Sequence, residues 1–308
     1  MPMPVQWKNS RILAVTALII VTAVWGSTFV LVKNAISLVP VMDFLWIRFL
    51  VAALAMIILR PLCLRKFTWR GVLRGIISGL FLSSAYIAQT FGLQTASATV
   101  SGFLTGMSVV LTPVIAWIVL RQKPNGFVWI SVVTATIGLG FLALRGWSIG
   151  TGELLTLLCA LLFACHIITL AKWAPAHNAY GLAFIQIITV AIVSFIASVP
   201  QGITIPVDTS VWIAIGITAL LATAFAFIIQ TWVQSILPPF HTAIILTMEP
   251  VFAGIFGISF GGDPFTWQTA TGAALILGAM ILVQLTLKKD TPPVMAGASD
   301  TSSSTGRQ

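Results

Sequence analysis

Ten stretches of roughly 20 residues, each apolar around its whole circumference and almost free of charge, follow one another along the chain. They lie near Ile12–Val32, Phe44–Leu59, Val72–Gln89, Val100–Leu120, Phe127–Leu144, Glu153–Ala171, Tyr180–Val199, Val211–Trp232, Ala243–Phe260 and Trp267–Leu287. Apolar runs of this length predict membrane-crossing helices, because the hydrocarbon offers no water to stray backbone amides. Alternating ten-residue segments, the pattern of an outer-membrane barrel, do not occur. Apart from Arg74 at the edge of the third stretch and Glu153 at the start of the sixth, the second alone holds a full cation, Arg48, and the ninth alone an embedded carboxylate, Glu249.

The stretches fall into two sets of five that match in order. Gly75-Ile76, Leu80 and Gln89-Thr90-Phe91 align with Gly216-Ile217, Leu221 and Gln230-Thr231-Trp232. Thr112-Pro113 falls on Glu249-Pro250, Trp129 and Gly140 on Trp267 and Gly278, and Lys33 on Lys172. An odd number of crossings per set starts the second set on the opposite side of the bilayer. The halves are then related by an axis in the membrane plane, with Gln89 near the outer surface and Gln230 near the inner one. The expected architecture is an all-α integral membrane protein of ten transmembrane helices in two inverted five-helix repeats. The limits are a segment 1–11, a first repeat 12–144, a connecting outer loop 145–151, a second repeat 152–287 and a tail 288–308.

Composition supports this and excludes much else. With 58% hydrophobic and 7% charged residues, the chain cannot dress a soluble core in a polar shell. The formal charge of +9 is placed by topology and speaks for no nucleic acid. Setting the N-terminus inside puts Lys8, Arg11, Arg60, Arg65, Lys66, Arg70, Arg74, Arg121, Lys123, Lys172, Lys288 and Lys289 on the cytoplasmic face. Lys33 and Arg145 fall in outer loops, beside Asp43, Asp208 and Asp263. That asymmetry predicts a multi-pass plasma-membrane protein with both termini cytoplasmic. The first stretch reads as a span and not a cleaved leader, since its apolar core is long and no Ala-x-Ala site follows. The tail is rich in Pro, Gly, Ser and Thr and predicts disorder. Cys63, Cys159 and Cys165 suggest no disulfide framework.

Trp25-Gly26-Ser27-Thr28-Phe29, Arg48, Thr112-Pro113 and Met248-Glu249-Pro250-Val251 resemble the EamA-like members of the drug/metabolite transporter superfamily, over about residues 12–287. The resemblance implies ten helices in two inverted repeats that move small organic solutes such as amino acids, often outward. The chain departs from the pattern where Arg121-Gln122-Lys123 replaces an acidic residue after the fourth span, and where Asp263 stands in place of Glu.

Several residues carry candidate chemistry. Counted from a ninth helix starting near Pro239, Glu249 lies about ten residues, or ~15 Å, into the span and near the midplane. There an ionised carboxylate costs several kcal/mol unless paired, wetted or protonated. It is either a coupling or substrate-amine site or a structural partner of a neighbouring group. Pro113 and Pro250 each remove a helical bond, freeing the carbonyls of Val109 and Leu246 for cargo, or else only kinking their helices. Arg48 either meets an anion in an outward-facing cavity or snorkels to the interface. His166 is a cavity-lining or internally satisfied histidine; with Cys159 it offers only two ligands, so no metal is expected. Tyr86, Gln89 and Gln230 are polar groups able to bond a solute, and Trp25 either stacks on cargo or fills the core. Gly75-x-x-x-Gly79 and Gly102-x-x-x-Gly106 read as close helix packing.

Together these features predict a secondary active transporter, an exporter of small metabolites working by alternating access around a midplane cavity. A lipid bilayer, a small-molecule substrate and a coupling proton are its expected partners. No Walker-type lysine loop is present to use ATP, and no cofactor is expected. A channel lacks its charged rings or filter loop here, and a lipid-modifying enzyme would need clustered acids, bases or metal ligands near an interface.

Overall fold

A computed structural model describes residues 5–61, 68–121, 126–145, 148–173, 179–226, 229, 233 and 245–290. The described chain is almost wholly helical. Its elements are α1 (Val5–Ala35), α2 (Val41–Leu59), α3 (Trp69–Thr95), α4 (Ala98–Gly106), α5 (Ser108–Leu120) and α6 (Gly126–Ala143), then a short antiparallel ladder of β1 (Leu144–Arg145) and β2 (Ser148–Ile149). There follow α7 (Thr151–Trp173), α8 (Ala179–Ser198), a 3-10 turn (Val199–Gln201), α9 (Thr209–Gly216) running into a π-helical stretch (Ile217–Phe225), α10 (Met248–Phe260) and α11 (Trp267–Asp290).

Six of these helical stretches are long and apolar enough to cross a membrane, and four shorter apolar ones accompany them. Three of the four, Gly126–Leu142, Thr209–Phe225 and Met248–Phe260, begin or end within a few residues of ones outside the described set. Large apolar side chains such as Leu54, Ile58, Ile118, Val133 and Ile196 are exposed on the outward faces. On a soluble protein that would be a sticky surface; on a multi-pass membrane protein it faces acyl chains.

The helix limits differ from the expected spans in informative places. The segment expected to precede the first span is helical from Val5, and α11 runs through Lys288 and Lys289 to Asp290, past the expected end at 287. The expected connecting loop 145–151 is tied into the small ladder, and α7 begins at Thr151. The fourth span is two helices, broken at Met107, whose amide bonds back only three residues to Leu104. The π stretch breaks the regular bonding of the eighth span.

Packing runs in pairs. α2 lies antiparallel to α8: Asp43 meets Ser198 at one end, while the Tyr180 hydroxyl donates to the Met56 carbonyl (2.7 Å) toward the other. α6 runs antiparallel to α11, with Gly138 against Gly272 and Phe141 against Trp267. α4 runs antiparallel to α10, since Gly106 faces Pro250 and Gly257 faces Thr99. Around these pairs α1 packs on α10, α7 on α4 and α5, and α3 on both α7 and α8. The glycine motifs serve close approach: a Cβ on Gly75 would fall 2.7 Å from Ile185, and one on Gly79 2.7 Å from Thr189.

One end of the bundle is closely tied. Asp43 is no loop residue; it sits in the first turn of α2, 1% exposed. It accepts from the Ser198 hydroxyl, the Thr204 amide (3.1 Å) and the Trp46 indole (3.0 Å). Lys33, in the last turn of α1, donates to the Ala96 carbonyl (2.5 Å) between α3 and α4. Asp263, just past α10, accepts from the Thr99 amide at the start of α4 (2.7 Å). Two of the three acids expected on the outer side, Asp43 and Asp263, are therefore helix ties, while Asp208 caps its own helix. The apolar core has two large clusters, one around Phe44, Leu45, Phe49 and Met56 and another around Leu104, Val110, Ile276 and Met280, with smaller ones around Leu18 and Val21 and around Ala85 and Cys159.

Candidate functional site

Between the two large clusters the helices part around a cavity of about 310 Å³. Trp25 reaches it from α1, Arg48 from α2, Tyr86 and Gln89 from α3, His166 from α7, and Glu249 and Pro250 from α10. Seven residues singled out by type in five spans thus share one chamber. Pro113 is not among its lining residues, although the carbonyl it bares belongs to Val109, which is. Gln230 lies outside the described residues.

The helix breaks fall where the cavity is. Residues on α5 just after the Met107 break, Ser108 and Val109, line it, as do Glu249 and Pro250 just after Thr247. Pro113 lies inside α5, six residues beyond the break, and Pro250 lies in the first turn of α10, three residues beyond Thr247. Ile245 and Leu246 are helical too and Thr247 keeps right-handed helical angles, so the missing N–H of Pro250 deprives the Leu246 carbonyl of its regular helical donor at that irregular turn. Glu249 sits in the first turn of α10, two residues beyond the irregular turn at Thr247; the expected helix start near Pro239 lies outside the described residues.

The remaining polar groups are held by specific neighbours. The Trp25 indole donates to the Ala222 carbonyl (2.7 Å). The Ala226 amide, that carbonyl's partner in an α-helix, bonds instead to Leu221 and Thr223 at the end of the π stretch. Trp25 is therefore neither a loose stacking platform nor plain core filling, but a tie between α1 and the eighth span. Gln89 donates from Nε2 to the Thr105 hydroxyl (3.1 Å) on α4. Tyr86 stands edge-on between Phe49, 4.8 Å away by ring centres, and Phe163, 5.5 Å away. Arg48 does not snorkel; it is 4% exposed, with its guanidinium against the Phe49 and Tyr86 rings.

His166 lies 2.5 Å from Oε1 of Gln186, a residue 4% exposed. The Gln186 amide nitrogen donates to the Leu182 carbonyl (3.0 Å), so its oxygen must accept, which places a proton on Nε2 of His166. Nδ1 of the neutral ring then remains an acceptor. Gln186 escaped the sequence reading, as did Thr105 and Ser108, because neutral polar residues in apolar helices are common and their partners emerge only on packing. Among the described residues no three His, Cys, Asp or Glu side chains converge as a metal site.

The EamA-like transporter family model matches this chain twice, over residues 12–144 and 150–285, which establishes the internal duplication. An uncharacterized transporter of Archaeoglobus fulgidus is 34% identical over 277 residues, covering 89% of this chain and 87% of that protein. The uncharacterized transporter YetK of Bacillus subtilis is 26% identical over 304 residues, 90% of this chain and 88% of its own. The threonine/homoserine exporter RhtA of Escherichia coli (strain K12) is 30% identical over 180 residues, 55% of this chain and 58% of that protein. A solved crystal structure superposes with a TM-score of 0.63 at 16% identity, covering 90% of this chain and 99% of that one; at such identity it speaks to the fold alone.

Proposed function

This chain belongs to the EamA-like transporter family, and on that premise we propose that it is a secondary transporter exporting small organic metabolites across the plasma membrane by alternating access. The observation that carries the reading is the cavity itself, lined from both repeats and flanked by helices broken at Met107 and Thr247. Broken helices at mid-span let backbone groups meet a polar solute without exposing them to lipid. The size of the chamber suits a small metabolite, being at the low end of the ~300–1,000 Å³ typical of ligand pockets. A relative named as an exporter of threonine and homoserine supports an amino-acid cargo.

The packing supports an inverted relation between the halves. If the first five spans exchange with the second five, the second-span helix α2 maps onto its neighbour α8, α4 onto α10, and α6 onto α11. Each of these self-related pairs is antiparallel. An axis along the membrane normal would make such pairs parallel, whereas an axis in the membrane plane makes them antiparallel. Two halves of similar energy then offer two packings, one open to each side. In this reading both termini are cytoplasmic, the tied end carrying Asp43, Lys33 and Asp263 faces outward, and the ion or cargo gradient supplies the energy. Glu249 carries the coupling proton or meets the cargo's amine.

Counterflow of labelled L-threonine and other amino acids in proteoliposomes tests this. Saturable exchange that Glu249→Gln uncouples from an imposed proton gradient is the expected result. Exchange and coupling left normal in both Glu249→Gln and Glu249→Ala would remove Glu249 from the mechanism, and unitary current steps would replace the carrier with a channel.

A further inference from the structure

Arg48 lies seven residues into α2, where a guanidinium is costly in hydrocarbon. Two common remedies are to reach the interface or to pair with an acid inside the bundle. Burial at 4% exposure rules out the first. The acid of its own helix, Asp43, is committed to Ser198, Thr204 and Trp46. Arg48 Nε has no hydrogen-bond partner among the described residues. What surrounds the guanidinium instead is aromatic: its Cζ stands 5.1 Å from the centre of the Phe49 ring and 5.3 Å from that of Tyr86.

Those rings steady the cation through their faces and, packed edge-on against each other, hold it in place. A ring face engages the charge but accepts none of the directional bonds that a guanidinium's N–H fork is built to donate. A planar fork of donors, fixed in a water-poor chamber and short of an acceptor, is complementary to a carboxylate, which takes two such bonds at once. The aromatic setting also keeps the site from being neutralised by the protein itself.

We propose that Arg48 is the carboxylate subsite of the cavity, so that the chain selects metabolites bearing a carboxylate over amines that lack one. The inference rests on the transporter reading above and narrows its substrate class. Arg48 grips the acid group, and Glu249, on the opposite repeat, lines the part of the chamber left for the remainder of the molecule.

The test uses purified full-length protein and three probe sets: the twenty amino acids, their α-amides, and short mono- and dicarboxylic acids without an amine. Binding is read by thermal shift and transport by counterflow. At least one free acid should bind ten-fold or more tightly than its own amide, and Arg48→Gln should erase that preference while leaving the weak amide binding in place. Arg48→Lys, which keeps the charge but not the fork, should recover only part of it. If the amine-free acids bind as well, the subsite reads the carboxylate alone; if only amino acids bind, it acts jointly with an amine site. Either result supports the assignment. The acid-versus-amide comparison in the unaltered protein decides the matter even if a variant fails to fold. Equal binding of acids and amides, or transport of amines with no carboxylate carried, overturns the role of Arg48 and leaves the transporter standing. Flux of no probe at all would take down both.

Discussion

Removing the Asp43 carboxylate should cost this protein several degrees of thermal stability without touching the cavity. Asp43 accepts three bonds, from the Ser198 hydroxyl, the Thr204 amide and the Trp46 indole, and so joins the start of α2 to the end of α8 and the loop beyond it. In Asp43→Ala the indole and the Thr204 amide, both only part-buried, can turn to water. The Ser198 hydroxyl, on a residue 1% exposed, cannot. Leaving one buried donor unpaired costs roughly 1–3 kcal/mol, and losing charge-assisted bonds adds to it, so about 3 kcal/mol is expected in all. At roughly 2 °C per kcal/mol for a chain of this size, the melting temperature should fall by about 6 °C. The assay is thermal unfolding of the detergent-purified protein followed by size-exclusion recovery. Adding Ser198→Ala to Asp43→Ala removes the orphaned hydroxyl and should restore part of the loss. Melting of Asp43→Ala within about 1 °C of the parent would refute the reasoning, since no buried clamp can be that cheap.

The packing elsewhere carries further expectations. Gly257→Ala would bring a methyl to 2.6 Å from the Asp263 carboxylate and 2.9 Å from the Thr99 amide, so overpacking of about 1–3 kcal/mol should show as a lowered melting temperature. Trp25→Phe keeps the ring but loses the bond to the Ala222 carbonyl; hydrogen exchange should quicken across the π stretch at 217–226 and stay unchanged in α11. Asp208, exposed at the start of α9 and outside the spans, is held below its ordinary value of 3.8 by the Ser210 hydroxyl and amide. A lowered folded-state value means this cap stabilises above pH 3.8 and is lost as pH falls through the lowered value; Asp208→Ala should therefore alter the pH–stability profile at neutral pH and converge with the parent in acid.

The spans were legible because lipid imposes a long, simple rule on each of them. The duplication was legible as ordered matches, and the family match over both halves establishes it. Charged and aromatic residues such as Arg48, Glu249 and Trp25 stood out by type, since an apolar helix rarely carries them without cause, and the fold brings them to one chamber. What lay hidden depends on partners distant in the chain. Met107 carries no breaker chemistry of its own, whereas the irregular turn at Thr247 lies within one helical turn of Pro250, whose missing N–H the sequence marks. The π stretch has no compositional mark, and the bond from the Trp25 indole to its Ala222 carbonyl appears only once α1 is packed against it. Asp43 looked like a loop charge because charge counting registers sign and side, not burial.

The central claim, that one chamber faces the two compartments in turn, is tested most directly by cysteine accessibility. Thr28→Cys, on the cavity wall, would be placed in a background with Cys63, Cys159 and Cys165 replaced, and labelled by a membrane-impermeant maleimide from either side of sealed vesicles. The account predicts labelling from both sides, with cargo raising the rate on one side while lowering it on the other. Labelling confined to one side under all conditions, or rates rising together on both, would contradict it.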